Sequence, residues 1–398
     1  MSGILAAIGQ QAVERLSLAE RLLRPDSLIR RTGAAGLLAP YGGDAPLRIL
    51  LDDYGRHARL NLVGCFAARF EVRRMLDTLA ALRAREEREP ALLDAPIERP
   101  IIVTGLPRSG TTFLHKLLAA DPASRVPATW ETIFPLPRGR HDPPERRIAT
   151  VARQLAIFDR MAPRFRDVHP IDAASPQECT EITAHVFRSF RFETTHHVPG
   201  FRAWLRGADH LPTYRFHRVF LQHLQHNDGA GPRRWVLKAP DHVFALEALA
   251  EVYPDACMVF LHRDPLEVLA SVAGLTEILR RPFASVVDRQ AIGRQVVTEC
   301  VKATSAMLRA DAKALFPPGR VLHLRFADLV RDPVAAVAGL YGHFGLDLSE
   351  AALGRLERLV AATPRGGYAG VTHALEEYGI EAEEVRAQCA AYAGRFGL

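Results

Sequence analysis

The chain has 398 residues, 48% hydrophobic and 24% charged. That mix supplies ample core and excludes a disordered tail, a collagen-like fibre and a disulfide mini-scaffold. Lys and Arg number 51 against 45 Asp and Glu, a formal net charge of +6, which calls for no nucleic-acid partner and suits equally a basic pocket for a phosphorylated small molecule.

Residues 1–95 read as a helical N-terminal extension. The opening Met1-Ser2-Gly3-Ile4-Leu5 lacks a basic stretch ahead of a long apolar one, so no secretory signal is expected. No window approaches ~20 uninterrupted apolar residues, so no membrane span is expected either. Met75, Leu79 and Leu82 fall at i, i+4 and i+7, one face of a helix. The charged run Arg83 to Glu89, followed by Pro90, predicts a solvated helix end and linker.

From residue 96 onward an α/β domain is expected. Pro100-Ile101-Ile102-Val103-Thr104 predicts a buried strand, Gly105 to Gly110 a loop, and Thr111 to Ala120 a helix. Further strands are expected at Trp235-Val236-Leu237, Cys257 to Leu261 and Val321 to Leu324, with helices at 241–252, 265–280 and 333–344. This alternation predicts a parallel β-sheet flanked by helices, with right-handed crossovers. Residues 125–232 carry aromatics, His, Arg and Pro but few strand signals, which predicts a mostly helical insertion shaping an acceptor site. The five cysteines are dispersed with no CxxC, and a reducing, cytoplasmic setting follows as the expectation.

Gly105-Leu106-Pro107-Arg108-Ser109-Gly110-Thr111-Thr112 is the sharpest feature. Strand, glycine loop and helix start together make an anion site, because backbone N–H groups and the helix dipole face the ligand. The spacing Gly-x-x-x-x-Gly matches a nucleotide P-loop up to Gly110, but Thr111 stands where the phosphate-binding Lys belongs. The cation is Arg108, inside the loop. Such a loop is poorly equipped for a triphosphate with Mg²⁺ and better suited to a shorter anion.

Pro107-Arg108-Ser109-Gly110-Thr111-Thr112 resembles the 5′-phosphosulfate loop of sulfotransferases that use 3′-phosphoadenosine 5′-phosphosulfate (PAPS). The resemblance implies a P-loop-kinase-like sulfotransferase fold, with Arg108, Ser109, Gly110, Thr111, Thr112 and Phe113 at the donor. In Val259-Phe260-Leu261-His262-Arg263-Asp264-Pro265, Asp264 suits an N-cap, Pro265 the first helical position and Glu267 the third. Arg263, with Ser271 eight residues on, resembles the family's 3′-phosphate clamp. Leu324-Arg325-Phe326-Ala327-Asp328-Leu329 resembles the Tyr-Glu-Asp-Leu segment; Phe326 replaces its Tyr and keeps a ring to stack on adenine. Arg365, in Pro364-Arg365-Gly366-Gly367, resembles a degraded Arg-Lys-Gly loop.

For catalysis, Lys238 resembles the family Lys that reaches the transferring group, and Glu131 the Glu that serves as base in several members. His242 is the second candidate base, four residues after Lys238 where a His two residues on is usual. Ser175-Pro176-Gln177-Glu178 reads as a capping box, with Glu178 a cap first and a site residue second. The implied activity is sulfuryl transfer from PAPS to a hydroxyl or amine by in-line displacement, without a metal. The acceptor stays open among small-molecule, glycan and lipid classes, and a homodimer is open too. Two alternatives remain at this point: a divergent P-loop kinase or NTPase using Asp264 for Mg²⁺, and a non-catalytic binding protein of the same fold.

Overall fold

In the computed structural model, which describes residues 22–137, 139, 141–228, 231, 233–363 and 374–398, the β-branched run after Pro100 forms β1 (Ile101–Gly105), buried at every position. β2 (Ser124–Arg125), β3 (Arg234–Lys238), β4 (Cys257–His262) and β5 (Val321–Arg325) join it in one parallel sheet, in the order β2-β3-β1-β4-β5. The fold is therefore α/β with a parallel sheet flanked by helices. β1 and β4 are buried throughout and mostly apolar because both of their faces are covered. β2 is the strand without a sequence signal: two residues at the sheet's edge.

Successive β1 side chains feed opposite layers. Ile101 and Val103 join a cluster with Leu114, Leu117, Val259, Leu340 and Tyr341, on the face covered by helices Thr111–Ala119 and Pro333–His343. Ile102 joins the larger cluster on the other face. That cluster also contains Leu47, Leu76, Leu79, Trp235, Phe260, Phe216 and Tyr392, so the N-terminal helices and the C-terminal helix Ala382–Phe396 share one apolar core with the sheet.

The N-terminal region is helical in its described part. Its longest element, Leu62–Arg88, starts where the Asn61 side chain accepts the Gly64 N–H at 2.8 Å. Met75, Leu79 and Leu82 are fully buried, as the periodicity predicts. The charged end departs from expectation. Glu86 is buried and accepts from Arg83 at 2.8 Å, with His223 Nε2 3.2 Å away, because helix Leu211–His226 packs over that turn.

Between β2 and β3 the described chain is helical, including Pro144–Met161, Cys179–Thr183 and Leu211–His226. Arg191 ties this region to the long N-terminal helix by pairing with Glu71, and within the region it pairs with Glu181 at 2.9 Å. Helix Pro265–Arg280 begins as predicted, with Asp264 accepting the Leu266 N–H at 2.8 Å. Glu267 does not close the capping box; its carboxylate bonds Arg263 instead. No helix among the described residues is long and apolar enough to cross a membrane, and all five cysteines are buried free thiols.

Candidate active site

The loop after β1 turns on two residues in the left-handed region, Arg108 (φ 67°) and Gly110 (φ 91°). The Ser109 hydroxyl donates to the Leu106 carbonyl at 2.6 Å and its amide to the same oxygen at 3.2 Å. Ser109 therefore holds the turn, and its polar groups face inward rather than toward a ligand. Helix Thr111–Ala119 follows, and its first-turn N–H groups have no intrahelical acceptor. Thr112 offers its hydroxyl at this end. Thr111 is buried, and Phe113 packs against the cluster under β1.

Gly110 is required twice over. Its φ is strained for any side chain, and a Cβ there would lie 2.6 Å from Phe326 Cδ2. Gly110→Ala is expected to cost about 1–3 kcal/mol in a denaturant melt. A variant as stable as the parent would contradict this account of the turn.

Arg108 extends from the turn toward helix Pro265–Arg280. Its Nε donates to Ser271 Oγ at 3.0 Å and its Nη1 to the Val168 carbonyl at 2.8 Å. Burial, then the neighbouring Arg263 guanidinium, lowers its pKa. Arg263 stands at the carboxyl end of β4, beside β1. It donates to the Arg108 carbonyl at 3.0 Å and to Glu267 at 2.9 Å, and lies 4.2 Å from the centre of the Phe326 ring. Phe326 thus has a guanidinium on one face and Gly110 at its edge. The fold gathers Arg108, Gly110, Arg263, Ser271 and Phe326, although up to 218 positions separate them in the sequence. Arg365 lies outside the described residues.

Lys238 ends β3, is only 2% exposed, and donates to Thr112 Oγ1 at 3.1 Å and to Glu178 Oε1. Glu178 is the residue that sequence reasoning placed second. Helix Cys179–Thr183 starts after it, so the Ser175–Glu178 capping box does not form; Ser175 Oγ instead accepts the Asp172 N–H at 2.8 Å. Burial pushes the Glu178 carboxyl up, but Lys238 and His169 outweigh it and hold it below the usual glutamate range. His169, partly buried beside the pair, is depressed to about 4 by desolvation and stays neutral near pH 7. Asp241, three residues past Lys238, is pushed up to about 8 by burial and by Glu178 and Glu193.

The two candidate bases lie differently. Glu131 accepts from Arg125 at 3.1 Å and from the Ala128 N–H at 3.0 Å, closing the first turn of Thr129–Ile133. His242 is 1% exposed, with Nδ1 2.6 Å from the Tyr214 hydroxyl. Burial, then His217 and Lys238, drives its pKa well below the ordinary imidazole value. The ring is therefore neutral and held in the core by a helix that the spacing from Lys238 could not reveal. Among the described residues no group of three or more His, Cys, Asp or Glu is arranged to hold a metal ion.

The arrangement offers a turn suited to an anion, a second cation one strand away, and a lysine–carboxylate pair, Lys238 buried and Glu178 partly exposed, between the loop and the insertion. Comparison with known proteins gives the family. The profile of the sulfotransferase family matches residues 100–350. Sulfotransferase STF1 from Mycobacterium tuberculosis H37Rv has a similar crystal structure, at 30% identity and a TM-score of 0.77, over 94% of this chain and 98% of that one. STF9 from Mycobacterium avium is similar at 25% identity and a TM-score of 0.81, over 95% and 96%. Among curated sequences, omega-hydroxy-beta-dihydromenaquinone-9 sulfotransferase Stf3 of Mycobacterium bovis is 26% identical over 279 residues. That match spans 66% of this chain and 66% of the relative's own length.

Proposed function

The chain belongs to the sulfotransferase family, and from that premise we propose that it transfers a sulfuryl group from PAPS to an acceptor hydroxyl by in-line displacement. The observation that carries the reading is the pairing of a Lys-less anion loop with Arg263 and Ser271 at the neighbouring strand end.

The residues fit both anionic ends of such a donor. The first-turn amides of helix Thr111–Ala119, Thr112 and Arg108 suit the 5′-phosphosulfate. Arg263 and Ser271 suit the 3′-phosphate, and the Phe326 ring lies beside them for the adenine. When bound, PAPS would supply the sulfuryl group, its bond from sulfur to the 5′-phosphate oxygen breaking to release 3′-phosphoadenosine 5′-phosphate with the added negative charge on that phosphate. Lys238, Thr112 and the loop amides meet charge at that end without reorganising. Glu178 is the carboxylate placed to take the acceptor's proton as its oxygen bonds sulfur; Glu131 and His242 act structurally. Asp264, which a Mg²⁺-dependent kinase would need, already caps a helix.

The acceptor is proposed to be a lipophilic alcohol. Stf3 is named for a hydroxylated menaquinone derivative. In this chain the small apolar cluster of Ala162, Phe165, Val168 and Ile278 lies against the site, since the Val168 carbonyl holds Arg108.

The test is calorimetric. 3′-Phosphoadenosine 5′-phosphate should bind more tightly than 5′-AMP, and Arg263→Ala should remove about 10–100-fold of that preference. Equal affinity for the two nucleotides in the parent protein would sink the proposal. Incubation with labelled PAPS and an acceptor panel, read by product mass, then identifies the alcohol.

A further inference from the structure

Helix Leu62–Arg88 turns Leu62, Phe66 and Phe70 outward at i, i+4 and i+8, with Val63 beside them, all between 47 and 59% exposed. The inward face of the same turns is buried through Cys65, Ala68 and Val72. Seven of the nine large apolar side chains exposed among the described residues come from three segments: this helix, Ile157 and Met161 on helix Pro144–Met161, and Val286.

Phe283 ties the three together. Its carbonyl accepts the Asn61 N–H at 2.9 Å, and a Cβ on Gly64 would strike it. Its ring stacks on Phe158 at 6.1 Å and 17°. Nearby, the Ser285 N–H donates to the Arg59 carbonyl at 2.8 Å. Surface apolar residues scattered singly need no explanation, but a gathered set marks an interaction face.

The charge around it narrows the partner. Residues 56–73 hold four arginines and one acid, residues 153–167 four and two, and residues 281–286 one and none; of these arginines, Arg56, Arg73, Arg166 and Arg281 are paired with Asp52, Asp77, Asp159 and Glu277. Arg59, Arg160 and Arg164 are exposed. Two copies of this chain meeting face to face would oppose basic rims. An anionic lipid surface would instead receive the aromatic and aliphatic side chains at its acyl boundary and the guanidinium groups at its phosphates.

The face also leads inward. Phe158 meets Phe165 edge-on at 5.1 Å, Phe165 lies 5.5 Å from His169, and Val168 holds Arg108. We propose that this face, built on Leu62, Phe66, Phe70, Ile157 and Met161, docks the protein on an anionic membrane surface, from which an amphiphilic acceptor reaches the site along the Phe158–Val168 cluster. The purpose assigned to docking rests on the lipophilic-acceptor reading; docking itself does not.

The experiment is co-sedimentation of the full chain with vesicles of phosphatidylcholine, with and without phosphatidylglycerol, in the absence of donor and acceptor. The parent should bind the anionic vesicles, and added salt should weaken binding. Phe66→Ser with Phe70→Ser, and separately Ile157→Ser with Met161→Ser, should each lower partitioning about tenfold. Both double variants should keep the parent melting curve and nucleotide affinity. Parent protein that ignores anionic vesicles, or folded variants that partition like the parent, would overturn the proposal. So would a dimer that the Phe66/Phe70 variant dissolves while no vesicle binding is seen. Failure here leaves the transferase reading standing, because that reading is tested by nucleotide affinity.

Discussion

Replacing Lys238 with alanine should lower sulfuryl transfer by about 10²–10³-fold in a single-turnover assay at saturating donor, the scale seen when one preorganised charge partner is removed. Lys238 is buried at the end of β3 and donates to Thr112 Oγ1, at the first turn of the anion-binding helix. The ammonium is thereby fixed in a site from which water is largely excluded, where its charge counts for more than at a surface. Affinity for 3′-phosphoadenosine 5′-phosphate should fall much less, since Arg263 and Ser271 remain. A variant that loses nucleotide binding as severely as turnover would make Lys238 a binding residue, and the catalytic assignment would be wrong.

Glu178→Gln is expected to lower turnover by about 10²–10⁴-fold, the usual contribution of a general base. The amide keeps the size of the side chain and an oxygen for Lys238, but it cannot take a proton. The direction of the pH dependence follows from the depressed pKa of Glu178. The carboxylate, and its pairing with Lys238, is fully present above the ordinary glutamate pKa and is lost as pH falls through the lowered value. In kcat/KM, which reports the free enzyme, the parent should therefore show an acid limb below the usual glutamate range, and the Gln variant should lack it. Once an incoming anion shares the Lys238 ammonium, Glu178 loses part of its counter-charge and its proton affinity rises, which suits a base. Glu131→Gln should act on stability instead, because its carboxylate is engaged by Arg125 and the Ala128 amide. A Glu131 variant that abolished turnover with an unchanged melt would reverse the two roles.

The strands were legible because sequence and environment agree at them: Ile101 to Val103 and Cys257 to Leu261 are apolar on both faces of a parallel sheet, so no alternation was needed to see them. β2 is two residues long and rests on pairing with β3 alone, which leaves nothing local to read. The anion loop was equally plain, since glycine spacing and the start of a helix are local properties. The inward turn of Ser109 was hidden, because it depends on where the Leu106 carbonyl points.

The carboxylate at the site was harder. Ser175-Pro176-Gln177-Glu178 carries a local helix-start signal, and a tertiary contact overrode it when β3 delivered Lys238 to Glu178. His242 shows the reverse. Its distance along the chain from Lys238 suggests a shared site, but Tyr214, on another helix, captures the ring. Roles set by side chains from distant elements leave no periodicity to detect.

The apolar cluster that joins Leu47, Leu76 and Leu79 to Trp235, Phe260 and Tyr392 bears on modularity. The profile match covers residues 100–350, yet that stretch is not a self-sufficient unit. Excising it would strip Trp235 and Phe260 of partners on both sides of the cut. It would also take away Tyr392, whose hydroxyl lies 2.9 Å from His262, next to the Arg263 clamp. A chimera that grafts these 251 residues onto foreign ends inherits the whole anion loop but an open core beneath it. Exchange between relatives of this chain is therefore expected to succeed with whole chains, and to fail at the boundaries of the shared segment.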